Sequence, residues 1–158
     1  MQPLVFESGD ETATAALGAA LARVLPDGSV VALCGTLGAG KTRLVQAIAE
    51  ASGIDRAQVV SPTFVLIQEH QGDRPLYHLD AYRIRDLDEF EELGPDEYYE
   101  SEGLTLIEWA DRVQECLPAE HLEVRIEVSG ETSRRFEIVA HGIRYEESVA
   151  QLRAELGS

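Results

Sequence analysis

Gly35-Thr36-Leu37-Gly38-Ala39-Gly40-Lys41-Thr42 fits the pattern G-x-x-x-x-G-K-[ST] of a phosphate-binding loop. Its flanks supply the context that the pattern needs. Val30-Val31-Ala32-Leu33-Cys34 is short, apolar and β-branched, which predicts a buried strand, and Arg43 to Ala49 carries apolar residues at helical spacing. Strand, loop and helix follow one another as a phosphate site requires.

Each residue type in the loop has a physical reason. Glycines at 35, 38 and 40 lack a Cβ, so the backbone can aim successive N–H groups at phosphate oxygens, and the helix start adds partial positive charge. Thr36, Leu37 and Ala39 offer main-chain amides to the same cradle. Lys41 reaches the β and γ phosphates and Thr42 offers a hydroxyl to Mg²⁺. Of the 13 basic residues twelve are arginine, and Lys41 is the single lysine. A compact ammonium on a flexible stem is used here and nowhere else.

Composition narrows the rest. A chain of 158 residues is long enough for one domain, 1–158, with an ordinary core. Cys34 and Cys116 are too few for a metal knuckle or a disulfide scaffold and read as small buried hydrophobes in a reducing compartment. Polar and acidic sequence follows Met1, and no apolar run is long enough for a bilayer, so a cytoplasmic protein without a membrane partner is expected. A net charge of −16 argues against direct binding of DNA or RNA. Between Asp86 and Glu102 there are nine carboxylates and no cation, read as a solvated helical face or a dock for a basic partner.

The order of elements predicts an α/β fold. Leu4-Val5-Phe6 is a strand candidate; Ser8 and Asp10 can cap a helix from Ala13 to Val24, which Pro26-Asp27-Gly28 ends. After the loop helix, 41–51, a strand over 63–70 and its partner at 76–79 form a hairpin across Gln71 to Pro75. Helical segments surround Leu87, Phe90 and Leu93, break at Gly94-Pro95 and resume at Tyr98-Tyr99. Leu104 to Ile107 is a second buried strand and 110–117 a short helix. Alternation over 121–128 and 135–140 predicts an antiparallel hairpin, and 145–156 a closing surface helix.

Two acids end strands: Asp80 after Leu76 to Leu79, and Glu108 after Leu104 to Ile107. Either position suits a carboxylate that holds Mg²⁺ directly or through water, and spacing alone does not choose between them. Thr63, in Ser61-Pro62-Thr63, can lend a hydroxyl near the γ phosphate or simply open a strand. Trp109, the sole tryptophan, adjoins Glu108. Without asparagine the chain cannot carry the Asn-Lys-x-Asp guanine motif, so adenine is expected.

Taken together, the loop, Ser61-Pro62-Thr63-Phe64, His78-Leu79-Asp80-Ala81-Tyr82-Arg83 and Ile107-Glu108-Trp109 resemble the bacterial TsaE (YjeE-type) ATPases of tRNA threonylcarbamoyladenosine biosynthesis. Thr14-Ala15-Ala16-Leu17-Gly18 fits a further pattern of that family. The resemblance implies a single-domain P-loop NTPase-like fold whose mixed sheet is flanked by helices. It implies an ATPase that takes ATP and Mg²⁺, releases ADP and serves the TsaB–TsaD complex, meeting tRNA only through those partners. It also implies roles: phosphates on Lys41 and the loop amides, Mg²⁺ on Thr42 and Glu108, Asp80 and Thr63 across the γ phosphate, Trp109 beside the nucleotide, and Thr14 and Arg134 near the adenosine. A small-molecule kinase and a nucleotide-dependent binding module without hydrolysis are the alternatives.

Overall fold

The run Val30–Gly35 forms a strand, β2, and is covered on both faces, which is why it carries no alternating polar residues. The structure, a computed structural model, describes residues 2–36, 38–60 and 67–157. The other strands are β1 (Leu4–Ser8), β3 (Ile67–Gln71), β4 (Pro75–Asp80), β5 (Leu104–Glu108), β6 (His121–Val128) and β7 (Arg134–His141). They make one sheet in the order β1-β7-β6-β2-β5-β4-β3. The pairs β6·β2, β2·β5 and β5·β4 are parallel; β1·β7, β7·β6 and β3·β4 are antiparallel. The mixed sheet and both hairpins are therefore as expected. Of the strand predicted over 63–70, residues 67–70 lie in β3, and Ser61 to Leu66 lie outside the described residues.

Helices α1 (Glu11–Val24), α2 (Lys41–Ala51) and α5 (Ile143–Leu156) share one side of the sheet, where Leu17, Leu21, Leu44 and Ile48 meet Leu33, Leu106, Val124 and Phe136. Asp10 caps α1 by accepting from the Ala13 N–H at 2.9 Å. The surface reading of 145–156 needs correction. Tyr145, Val149 and Leu152 recur at helical spacing and are fully or almost fully buried, and the Tyr145 hydroxyl accepts from the Val30 N–H at 3.0 Å.

The opposite side is covered only in part. Helix α3 (Leu87–Glu91) and the 3₁₀ segment Ala110–Cys116 close over Ala32, Leu79 and Ile107, while α4 (Pro95–Tyr99) starts at the expected Gly94-Pro95 break. The short helix expected over 110–117 is 3₁₀ because its buried residues, Ala110 and Val113, are three apart and Val113 leaves helical geometry at φ −127°. Over β6 and β7 this side is polar, with Arg125 bridging Glu123 and Glu137. Nor are the cysteines fully buried: Cys34 and Cys116 are both half-buried, and partial burial, aided by Asp111 and Glu123, pushes the Cys34 thiol up to about 11. Among the described residues no helix is long and apolar enough to cross a membrane.

Candidate nucleotide site

The phosphate loop leaves β2 at Gly35, where a side chain is excluded because a Cβ would meet the Ile126 carbonyl oxygen at 2.7 Å. It enters α2 through Gly40 at φ 109°, a left-handed conformation that glycine adopts without strain. No side chain caps α2, so the first-turn N–H groups that a capping residue normally satisfies stay available to an anion. Leu37 lies outside the described residues.

Lys41 is buried, and its ammonium donates to the carbonyls of Gly35 at 2.8 Å and Thr36 at 2.9 Å. The ammonium also lies 3.9 Å from the centroid of the Trp109 ring. Burial lowers the Lys41 pKa, while Glu108, Asp111 and Asp80 pull it back up. A cation with carboxylates on one side and an indole on the other is suited to meet phosphate oxygens.

The two strand-end acids are brought together by register. Asp80 and Glu108 are direct partners across β4 and β5, and both are buried. The Thr42 hydroxyl, at the start of α2, faces Glu108 at 3.0 Å from Oε1 and 2.8 Å from Oε2. Asp80 accepts from the Tyr82 N–H at 2.8 Å, and the Ala81 N–H donates to the Glu108 carbonyl at 3.0 Å, which locks the two strand ends. Thr63 lies outside the described residues.

Three features add to the sequence reading. His78 is fully buried, and its Nε2 lies 2.5 Å from Glu108 Oε2, so the carboxylate is held from one side by histidine and from the other by threonine. The signal was available: His78 and Asp80 are two apart on one strand and therefore share a face. The Arg134 Nε donates to the Ala39 carbonyl at 3.0 Å, which braces the loop from β7. Trp109 adopts φ 58°, the only positive φ at a non-glycine among the described residues, and Tyr82 packs on it at 4.9 Å.

Thr14 and Arg134 come together beside Gly40. They line a cleft of about 460 Å³ with Thr12, Arg43, Thr132 and Phe136, within the usual size for a small-molecule pocket. Ser8 gives its proton to the Asp10 carbonyl, so Thr14, which is largely buried, donates to Ser8 at 2.7 Å. Trp109 is on the other flank of the loop, with Lys41 between its ring and the loop carbonyls.

Known proteins resemble this chain over most of its length. The profile of the family described as threonylcarbamoyl adenosine biosynthesis protein TsaE matches residues 8–136. The TsaE protein of Bacillus subtilis is 42% identical over 147 residues, covering 92% of this chain and 91% of that protein. That of Aquifex aeolicus is 34% identical over 140 residues, covering 87% and 96%. The crystal structure of Bacillus subtilis YdiB superposes with a TM-score of 0.83 at 34% identity, covering 98% of this chain and 96% of that one. The chain belongs to the TsaE family of tRNA threonylcarbamoyladenosine biosynthesis proteins.

Proposed function

We propose that this chain is a cytoplasmic ATPase that binds ATP with Mg²⁺ at the loop and hydrolyses it to drive turnover of a TsaB–TsaD pair during threonylcarbamoyl transfer to tRNA. The observation that carries the reading is the Thr42 hydroxyl facing both oxygens of the buried Glu108 carboxylate beside the Lys41 ammonium. A hydroxyl and a carboxylate brought together beside an uncapped helix start are hard oxygen donors, and this donor set fits Mg²⁺. Bound there, Mg²⁺ supplies neutralisation of the charge shared by the β and γ phosphates.

The chain's own residues do the remaining work. Loop amides and Lys41 hold the phosphates; Lys41 exchanges its contacts with the Gly35 and Thr36 carbonyls for phosphate oxygens. Asp80, fixed by the Tyr82 N–H, orients the attacking water. The cleft at Thr14 and Arg134 receives the adenosine, and Trp109 reports on the phosphates from the other flank. The tRNA is left to the partners, because a chain of net charge −16 repels it.

The test is phosphate release by the pure chain with and without a TsaB–TsaD pair. Slow turnover alone and a clear rise with the pair are expected, together with loss of ADP-induced change in Trp109 emission in Lys41→Ala. Equal rates in both conditions, or Lys41→Ala binding ADP like the parent, would overturn the reading. Phosphoryl transfer to a small acceptor would favour a kinase instead, and tight ATP binding without phosphate release would favour a binding module.

A further inference from the structure

At the other end of the sheet, β6 and β7 bring three potential metal ligands to one place. His121 and His141 are direct cross-strand partners, and Glu123, two residues along β6, falls on the same face. One ligand atom from each of the three lies within 4.8 Å of the others. We propose that His121, Glu123 and His141 form a binding site for a divalent transition-metal ion of the zinc type.

Hydrogen bonding around the three side chains fits this use. His121 Nδ1 is 2.9 Å from the Pro118 carbonyl, which can only accept, so Nδ1 carries the proton and Nε2 presents a lone pair. A histidine ligand normally has its second ring nitrogen held in this way. Glu123 is largely buried; His141 Nε2 lies 2.7 Å from its Oε1, and the Arg125 guanidinium donates to its Oε2. Arg125 thus leaves one carboxylate oxygen for an ion that takes the place of the His141 proton.

Two imidazoles and a carboxylate are the donor set of an open zinc site, with a fourth position for water. That position has room: a cavity of about 200 Å³, lined by Cys34, Asp111, His121 and Glu123, adjoins the cluster. The imidazole rings are now stacked at 4.4 Å, tilted by 17°. Tetrahedral coordination sets donor separations of about 3.4 Å, so the His141 ring must turn about χ2, a soft torsion at histidine, while the Pro118 carbonyl holds His121. The site is separate from the phosphate loop. Gly35 pairs with Ile126, three residues along β6 from Glu123, which is about 10 Å of strand.

The cost lies in Arg125, whose cation faces the ion across Glu123. It makes the site weaker than the same ligands would be alone, and this gives a signature that a hydrogen-bonded cluster without metal affinity does not have. Zn²⁺ is titrated into the full chain without nucleotide by calorimetry, and Co²⁺ by visible absorption, with folding of every variant checked by circular dichroism. One ion per chain is expected, weakened about tenfold or more by His141→Gln and by Glu123→Gln and unchanged by Glu108→Gln. Arg125→Gln, at a side chain that is 60% exposed, should tighten binding by about threefold or more. Absence of binding by the parent chain, binding that survives His121→Gln with His141→Gln, or loss of binding in Glu108→Gln alone would overturn the proposal. If the histidine variants fail to fold, the Arg125→Gln arm decides: unchanged or weaker affinity refutes the site.

Discussion

His78 lies between the core and the chemistry. Its imidazole has no exposure and, among the described residues, one hydrogen-bond partner at 2.5 Å, the Glu108 carboxylate, which also faces Thr42. Replacing it with phenylalanine keeps the bulk and removes the hydrogen bond, which leaves a buried carboxylate short of a partner. Stability should fall by about 1–3 kcal/mol in denaturant titration, and Mg²⁺ should be needed at higher concentration for nucleotide to quench or enhance Trp109. An unchanged Mg²⁺ requirement would mean that His78 serves packing alone. Much at this scale was legible. The loop pattern marks Lys41 and Thr42, Asp80 and Glu108 stand out as acids at the ends of apolar runs, and the structure brings these four side chains to one place. His78 and the bracing role of Arg134 were not assigned, because each acts through a partner remote in sequence: Glu108 for the first, the Ala39 carbonyl for the second.

Helices α1 and α2 approach each other closely at Gly18, where an added Cβ would lie 2.4 Å from the Ala47 Cβ and 2.8 Å from the Ala47 carbonyl carbon. Gly18→Ala therefore sets two effects against each other. Helix propensity favours alanine by about 1 kcal/mol, and overpacking a tight contact costs about 1–3 kcal/mol or more, with backbone among the atoms that must move. Overpacking should win, with a melting temperature lower by about 2–8 °C, and α2 should carry the strain to the phosphate loop as weaker ADP binding. A variant as stable as the parent would show that the helices part freely. Element types were readable from period and from Gly-Pro punctuation; burial was harder to read. The helix over 145–156 was expected at the surface, yet Tyr145, Val149 and Leu152 face the core. The 3₁₀ form of 110–116 follows from contacts across to α3 and β2 that local sequence does not encode.

Across the whole molecule the charge is both large and locally balanced. Arg23, Arg74, Arg85, Arg125 and Arg135 each pair with a carboxylate, so these guanidiniums do not gather into a basic patch. Nucleic-acid affinity depends on such patches. In electrophoretic shift assays at physiological salt the chain alone should leave tRNA unretarded, and a dissociation constant tighter than about 10⁻⁶ M would contradict this. The sheet's parallel centre and antiparallel margins were foreseen only as a mixture; strand order came from pairing of segments as far apart as Leu4 and Ile138, which no local pattern reports. The alignment of Asp80 with Glu108 follows from that order, because it is written into the ladder between β4 and β5. Two like charges are thus set side by side while the chain folds, and hydrogen bonds along two strands maintain the arrangement. Lys41 stands against this pair from the head of α2, so acids and ammonium are spaced by the backbone and need no rearrangement of the sheet to face one another.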